Sequence, residues 1–138
     1  MNGNEHILEV GTGSGYQAAI LSQMGKDVHT VEMIPALYRR AENLLNGLRY
    51  QNIHCHLSDG SLGLPSAAPY DSILVAATAP SVPQGLLLQL AEGGRLVLPV
   101  GGGGYQVLEI WWKEKGVLKH RNDIGVAFVP LRGEHGWK

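Results

Sequence analysis

A glycine-rich segment near the start of the chain constrains the fold more than any other feature of the sequence. Gly11-Thr-Gly13-Ser-Gly15 follows an apolar run at residues 7–10 and precedes a helical pattern at residues 16–24. Glycine permits a tight turn between a strand and a helix, and it lets a ligand approach the backbone. The first turn of the helix adds free N–H groups. Such a segment could serve merely as a tight connection, but its place between a strand and a helix is typical of ligand-binding α/β folds.

The rest of the chain extends this unit into one domain over residues 1–138. Four further apolar strands are predicted at residues 28–33, 52–58, 72–77 and 95–100, with helices at 35–45 and 83–90. In the first helix, at 16–24, we expect Ala19, Ile20 and Met24 to share one face. The loop at 60–69 holds at most a short helix.

The rhythm of strands and helices changes after residue 100. The connection at 101–104 consists of four glycines and is too short for a helical crossover. The strand at 105–113 should therefore pair antiparallel with the fifth strand. The last strand is predicted at 117–119 and 124–131, with a break near Asn122 and Asp123. We therefore expect a Rossmann-like, doubly wound α/β fold with a mostly parallel seven-stranded sheet and an antiparallel C-terminal hairpin.

Composition excludes several classes of protein. Lysine and arginine number 11 against 12 acidic residues, a net charge of −1, so no basic excess predicts a nucleic-acid partner. No apolar run reaches the roughly 18 residues of a membrane span. A single cysteine, Cys55, allows no internal disulfide. We therefore expect a cytoplasmic protein in a reducing compartment, with no nucleic-acid or membrane partner.

Two acidic residues sharpen the ligand prediction. Glu32 ends the second strand and Asp59 ends the third, so both should face the same crevice as the glycine turn and residues 76–80. Each acid could be a solvated loop residue or a helix cap. The glycine turn and an acid at the end of each of the next two strands together favour a nucleoside site. The turn reads G-x-G-x-G with Tyr16 next, which differs from the dinucleotide G-x-G-x-x-G pattern. S-adenosylmethionine fits this pattern better than NAD.

Longer stretches carry a resemblance to a known family. They are Leu8-Glu-Val-Gly-Thr-Gly-Ser-Gly-Tyr-Gln17, Ala68-Pro-Tyr-Asp71, Leu90-Ala-Glu-Gly-Gly-Arg-Leu-Val-Leu-Pro-Val-Gly101 and Gly125-Val-Ala-Phe-Val-Pro-Leu131. With these motifs the chain resembles S-adenosylmethionine-dependent methyltransferases and, more narrowly, the protein-L-isoaspartate O-methyltransferase family. The resemblance implies methyl transfer to the side-chain carboxylate of L-isoaspartyl residues in damaged proteins, which is protein repair.

The resemblance also implies roles for particular residues. The cofactor-binding residues it implies are Glu9, Gly11, Gly13, Gly15, Glu32, Met33, Asp59, Gly60 and Ala76. The substrate-binding residues it implies are Thr78, Val129, Pro130 and Leu131. No catalytic residue is assigned, because the family's upstream segment, with its hydroxyl-bearing residue, has no counterpart here. We therefore expect little activity from this chain alone, and self-association through the uncovered face.

Alternative functions remain open at this stage. The chain could be a non-catalytic S-adenosylmethionine-binding module, or a methyltransferase of the same fold that acts on a small molecule or RNA. No metal site is predicted, because His54 and His56 share a strand face without a third ligand.

Overall fold

The computed structural model describes residues 3–102, 105–126 and 129–137. Its strands are β1 (His6–Val10), β2 (Asp27–Glu32), β3 (Ile53–Leu57), β4 (Tyr70–Val75), β5 (Leu90–Gly102), β6 (Tyr105–Glu114) and β7 (Val117–Val126). Its helices are α1 (Tyr16–Met24), α2 (Pro35–Gly47) and α3 (Gln84–Leu88), with two 3₁₀ turns at Gly60–Leu62 and Pro65–Ala67. None of the helices in these ranges is long and apolar enough to cross a membrane.

The strands form one seven-stranded sheet in the order β3-β2-β1-β4-β5-β6-β7. The pairs among β1 to β5 are parallel, whereas β5–β6 and β6–β7 are antiparallel. The predicted α/β sheet with an antiparallel C-terminal hairpin is therefore confirmed. The direct pairing of β5 with β6 is also confirmed, although Gly103 and Gly104 lie outside the described residues.

The C-terminal strand differs from its prediction. The break expected near Asn122 and Asp123 is wrong, because β7 runs without interruption from Val117 to Val126. The irregularity there is a shift of register: Val107 faces Gly125 and Glu109 faces Asn122, so β7 carries one extra residue. A bulge of this kind bends a strand without ending it. Residues 127 and 128 of the predicted strand lie outside the described residues.

Two helices differ as well. In α1 the buried residues are Ala18, Leu21 and Ser22, whereas Ile20 is 43% and Met24 45% exposed. The predicted apolar face of α1 is therefore wrong. Leu21 packs with Ile7 and Val28, which orients the helix on the sheet. The helix α3 is also shorter than predicted, because it covers five residues before β5 begins at Leu90.

The core lies on both faces of the sheet. On one face Leu21 of α1 packs with Ile7 and Val28. The larger cluster combines side chains of the central strands and α3, and its fully buried members include Leu8, Tyr70, Ile73, Leu86, Leu96 and Leu98. Covering both faces of the parallel strands is the usual reason for their continuous apolar sequences. This packing fixes the positions of the strand ends that form the site.

Candidate functional site

A cavity of about 440 Å³ opens at the carboxyl ends of β1, β2 and β4. The residues predicted from the sequence that line it are Glu9, Gly11, Gly13, Glu32, Met33, Gly60, Ala76, Val129, Pro130 and Leu131. A second cavity, of about 510 Å³, lies at the amino ends of β1 and β4 and contains none of the predicted residues. The first cavity is therefore the candidate site, as expected for a sheet of this class.

The glycine turn forms one wall of this cavity. Gly11, Gly13 and Gly15 have φ angles of 99°, 54° and 86°, a region that favours glycine. The backbone N–H groups of Gly11 and Thr12 donate to the Val31 carbonyl at 2.9 and 3.2 Å, which ties the turn to β2. Gly15 caps α1 and does not line the cavity, and a Cβ there would lie 3.4 Å from Leu45. Gly15 thus lets α1 approach α2.

Glu32 holds the turn from the end of β2. One carboxylate oxygen accepts a hydrogen bond from Gly13 N at 2.9 Å. The other accepts from Met33 N and Ile34 N at 3.1 and 3.0 Å. Glu32 is 7% exposed and faces the cavity. Oε2 already accepts two bonds, whereas Oε1 accepts one and keeps a lone pair that can accept a hydrogen bond from a ribose hydroxyl.

Glu9 is the most unusual group in the cavity wall, because it is a fully buried carboxyl group. Thr30 Oγ1 donates to Glu9 Oε1 at 2.6 Å, and Thr12 Oγ1 lies 2.6 Å from Thr30 Oγ1. Glu9 Oε2 has no hydrogen-bond partner among the described residues. Burial raises the pKa of Glu9 from 4.5 to about 7; the negative charge of Glu32 adds to this effect and the Thr30 bond opposes it.

A C-terminal segment at 129–132 forms the opposite wall. Thr78 N donates to the Val129 carbonyl at 2.7 Å, and Leu131 N donates to the Thr78 carbonyl at 2.6 Å. The Thr78 hydroxyl donates to the Gly101 carbonyl at 3.0 Å. Thr78 therefore lies behind the wall rather than in it, and it positions the segment whose Val129, Pro130 and Leu131 face the cavity.

Asp59 lies outside the cavity lining and holds the end of the chain. Its Oδ1 accepts from Ser61 N at 2.9 Å and from Ser61 Oγ at 2.7 Å, and its Oδ2 accepts from Glu134 N at 2.9 Å. Burial alone would raise the pKa of Asp59, but the hydrogen bonds from Glu134 and Ser61 outweigh it and lower the pKa. Its neighbour Gly60 does line the cavity. Asp59 as an adenine ligand stays a prediction.

The two threonines that support Glu9 were not among the predicted site residues. Thr30 is fully buried in a strand that is otherwise largely apolar on its buried positions, and Thr12 is 5% exposed within the glycine turn. A hydroxyl in a buried strand needs a hydrogen-bond partner, and this was the available signal. Arg132, which also lines the cavity, was not among the predicted site residues.

The residues present fit the predicted cofactor, S-adenosylmethionine. The free oxygen Glu9 Oε2 offers a buried acceptor, and an amino group is a suitable donor for it. A Cβ at Gly13 would meet no atom within 4 Å, so the space beside that glycine is open to a ligand. The apolar side chains of Met33, Ile34 and Leu37 supply surface for a flat base.

Comparison with known proteins identifies the family. The chain matches the sequence model described as protein-L-isoaspartate(D-aspartate) O-methyltransferase (PCMT) over residues 1–136. It is 49% identical over 138 residues to protein-L-isoaspartate O-methyltransferase 1 of Syntrophobacter fumaroxidans, and 49% identical over 136 residues to the Pyrococcus abyssi enzyme of the same name. The alignments cover 100% and 96% of this chain but only 64% and 63% of those relatives.

Solved structures agree with the sequence comparisons. One described as protein-L-isoaspartate O-methyltransferase superposes with a TM-score of 0.89 at 28% identity, covering 98% of this chain and 44% of that chain. A putative Plasmodium falciparum protein-L-isoaspartate O-methyltransferase, in complex with S-adenosyl-L-homocysteine, superposes with a TM-score of 0.76 at 23% identity. That alignment covers 93% of this chain and 66% of that chain, and it shows the fold alone. Because the family match spans residues 1–136, the chain belongs to the protein-L-isoaspartate O-methyltransferase family.

Proposed function

We propose that this chain takes part in S-adenosylmethionine-dependent methyl transfer to the side-chain carboxylate of L-isoaspartyl residues in damaged proteins. The observation that carries this proposal is the cavity at the strand ends, which gathers the glycine turn, Glu9 and Glu32 in a chain of this family. The names of the relatives support the same reaction. The chain spans 64% of the length of the first of these relatives.

The cofactor supplies an electrophilic methyl group on a sulfonium. A substrate carboxylate is already an anion near neutral pH, so the transfer requires no general base. The chain's own residues therefore act by orientation: Gly11 and Gly13 shape one wall of the cavity, and Glu32 holds the glycine turn in place. Positioning of this kind can supply a large part of the rate enhancement, because it converts an encounter into an intramolecular step.

Charges around the cavity support a particular placement of the cofactor and the isoaspartyl side chain within it. Glu9 and Glu32 lie at the glycine turn, whereas Arg132 belongs to the opposite wall. The amino and hydroxyl groups of the cofactor suit the acidic end, because these groups donate hydrogen bonds. The anionic isoaspartyl side chain suits the end near Arg132, beside the backbone of Val129 and Pro130.

We further propose isoaspartyl-containing proteins as partners and the cytoplasm as the location. The single, half-buried thiol of Cys55 supports a reducing compartment. Burial raises the pKa of this thiol to about 11, so it is not a reactive thiolate at neutral pH. Self-association stays a prediction, and the oligomeric state in solution tests it.

Methyl transfer from radiolabelled S-adenosylmethionine to an isoaspartyl peptide tests the proposal. The matched control is the same peptide with an ordinary aspartyl residue, which offers a carboxylate of the same charge in a different place. Because little activity is expected from this chain alone, we expect a low level of label, found only in the isoaspartyl peptide as a base-labile ester that releases methanol. Calorimetric titration with S-adenosylhomocysteine measures occupancy of the cavity in parallel.

The two measurements together separate the alternatives. Binding of S-adenosylhomocysteine without transfer to either peptide would favour a non-catalytic binding module. Transfer to a small molecule or RNA, but not to the peptide, would favour a different methyltransferase of the same fold. Equal labelling of both peptides would contradict the proposed selectivity for isoaspartate.

A further inference from the structure

Three side chains with metal-binding chemistry meet at the amino ends of β1 and β2, away from the cavity. In the parallel register His6 faces Asp27, and His29 lies two residues further along β2, on the same face as Asp27. One potential ligand atom from each residue lies within 4.8 Å of the other two. Their side chains are 25%, 28% and 15% exposed, so the group is partly shielded yet open to an ion.

The hydrogen bonds of His6 orient its ring toward Asp27. His6 Nε2 lies 2.6 Å from the Ala67 carbonyl, and because a carbonyl only accepts, Nε2 carries a proton. The other nitrogen, Nδ1, lies 2.6 Å from Asp27 Oδ1. A bare imidazole nitrogen and a carboxylate oxygen repel each other at this distance unless a cation joins them. The His6 ring is thus held with Nδ1 directed at the Asp27 carboxylate, and a small widening of this gap would admit a metal ion.

The second histidine is arranged in the same way. His29 Nδ1 lies 2.9 Å from His56 Nε2, and its Nε2 lies 3.8 Å from Asp27 Oδ2. In the tautomer whose Nδ1 donates to His56, the lone pair of Nε2 is available to an ion bound beside Asp27 Oδ2. Ring contacts hold this orientation, since His29 stacks on His54 with centroids 4.7 Å apart and meets the edge of His6 at 5.2 Å.

Each ring therefore has one nitrogen held by a neighbour and the other turned toward a shared carboxylate. Metal-binding histidines show this arrangement: the second ring nitrogen donates to a carbonyl or another acceptor, which fixes the tautomer and the ring direction. Here Ala67 and His56 take the supporting role. A further carboxylate lies near, because Asp71 Oδ2 accepts from His6 N at 2.8 Å.

We propose that His6, Asp27 and His29 bind one divalent transition-metal ion, for which Zn²⁺ is the best-suited ion. Two imidazole nitrogens and one carboxylate oxygen are ligands that Zn²⁺ favours, with water in the fourth position. Tetrahedral bonds of about 2.0–2.1 Å separate the ligand atoms by roughly 3.3 Å. The present spacing, within 4.8 Å, requires only small side-chain movements to reach that geometry.

The ion would cross-link the start of β1 to β2 and, through Ala67, to the loop that precedes β4. Its role is structural, because the group lies at the amino ends of the strands and the cavity lies at their carboxyl ends. The site was not predicted because only His54 and His56 lie close together along one strand of the sequence. The proposed ligands come from two separate strands. This inference does not depend on the proposed methyl transfer.

Calorimetric titration of the metal-free chain with Zn²⁺ alone tests the proposal. We expect one ion to bind per chain. Zn²⁺ should raise the midpoint temperature of thermal unfolding, and a chelator should return it to the metal-free value. Asp27→Asn keeps the shape of the side chain and should lower Zn²⁺ affinity by at least about 100-fold, whereas His56→Gln, a supporting residue, should lower it about 10- to 100-fold. The matched control His120→Asn removes a histidine that stacks on Trp111 in the hairpin, outside the proposed site, and should leave the affinity unchanged.

Two results would overturn the proposal: no Zn²⁺ binding by the unaltered chain, or equal losses of affinity in Asp27→Asn and His120→Asn, which would indicate nonspecific binding to histidines. Circular dichroism of each metal-free variant checks its folding. If Asp27→Asn does not fold, imidazole resonances of the unaltered chain decide the question. Zn²⁺ should shift those of His6 and His29 but not those of His120, which stacks on Trp111 in the hairpin; unshifted His6 and His29 signals would refute the site.

Discussion

The buried carboxyl group of Glu9 should make the stability of the metal- and ligand-free chain fall as pH rises, and Glu9→Gln should remove that dependence. Glu9 is fully buried, and only one of its oxygens has a partner among the described residues. Glutamine has nearly the same shape, and it can accept the same hydrogen bond from Thr30. The substitution therefore removes the charge with little change in packing.

The magnitude follows from the pKa of Glu9 in the two states. Burial raises this pKa from 4.5 to about 7, so between these values the folded chain holds a proton that the unfolded chain has lost. The associated stability is fully present below pH 4.5, falls as pH rises toward 7, and is lost above 7. At about 1.4 kcal/mol per unit of pKa, the full change is roughly 3 kcal/mol.

Urea unfolding from pH 4 to pH 8, followed by tryptophan fluorescence, measures this change. The difference in unfolding free energy between Glu9→Gln and the unaltered chain should shift in favour of Glu9→Gln by roughly 3 kcal/mol between pH 4 and pH 8. Glu109→Gln on β6 controls for the loss of one carboxylate elsewhere in the sheet. Only differences between chains are compared, so the titration of other groups cancels.

A constant difference between Glu9→Gln and the unaltered chain across this pH range would refute the reasoning. A change of the opposite sign, with the unaltered chain gaining stability as pH rises, would refute it as well. The same variant should bind S-adenosylhomocysteine more weakly, because the ligand's amino group loses an anionic acceptor. On this reasoning, Glu9 should lower the stability of the empty chain at neutral pH and should favour binding of the proposed cofactor.

Further predictions concern the walls of the cavity. Gly13 and Gly116 both have positive φ with open space around a Cβ, so alanine at either should cost about 1 kcal/mol in urea unfolding, but only Gly13→Ala should weaken calorimetric binding of S-adenosylhomocysteine; equal affinities would contradict the site. Glu32→Ala should weaken that binding by about 1.5–3 kcal/mol, and an unchanged affinity would remove Glu32 from the site. Arg132→Gln should raise KM for the isoaspartyl peptide by up to about fivefold, since exposed charges contribute about 1 kcal/mol or less, while a changed cofactor affinity would argue against its place at the substrate end. Asp59→Ala should cost about 1–3 kcal/mol and speed proteolysis near Glu134, whose N–H it binds; cleavage at an unchanged rate would mean that this contact does not hold the segment.

The order of elements could be predicted because it depends on local features of the sequence. The glycine turn marks the first strand and helix, and the short glycine connection after residue 100 leaves no length for a crossover. Parallel strands place their carboxyl ends at one edge, so Glu32 and Ala76 could be assigned to the cavity region without coordinates. Periodicity alone was weaker for α1, where Leu21, Ala18 and Ser22 are buried and the predicted face is not.

Only the tertiary structure decided the properties that depend on neighbours distant in sequence. The sequence shows Glu9, but its raised pKa requires the burial that the folded sheet provides and the position of Thr30 on the next strand. Asp59 was predicted to face a ligand, and the folded chain adds a contact that the sequence does not show: its Oδ2 accepts from the backbone N–H of Glu134, 75 residues further along. His6 and Asp27 become neighbours because the β1–β2 register places them side by side. Register and burial arise from the packing of the whole sheet, and no local pattern encodes them.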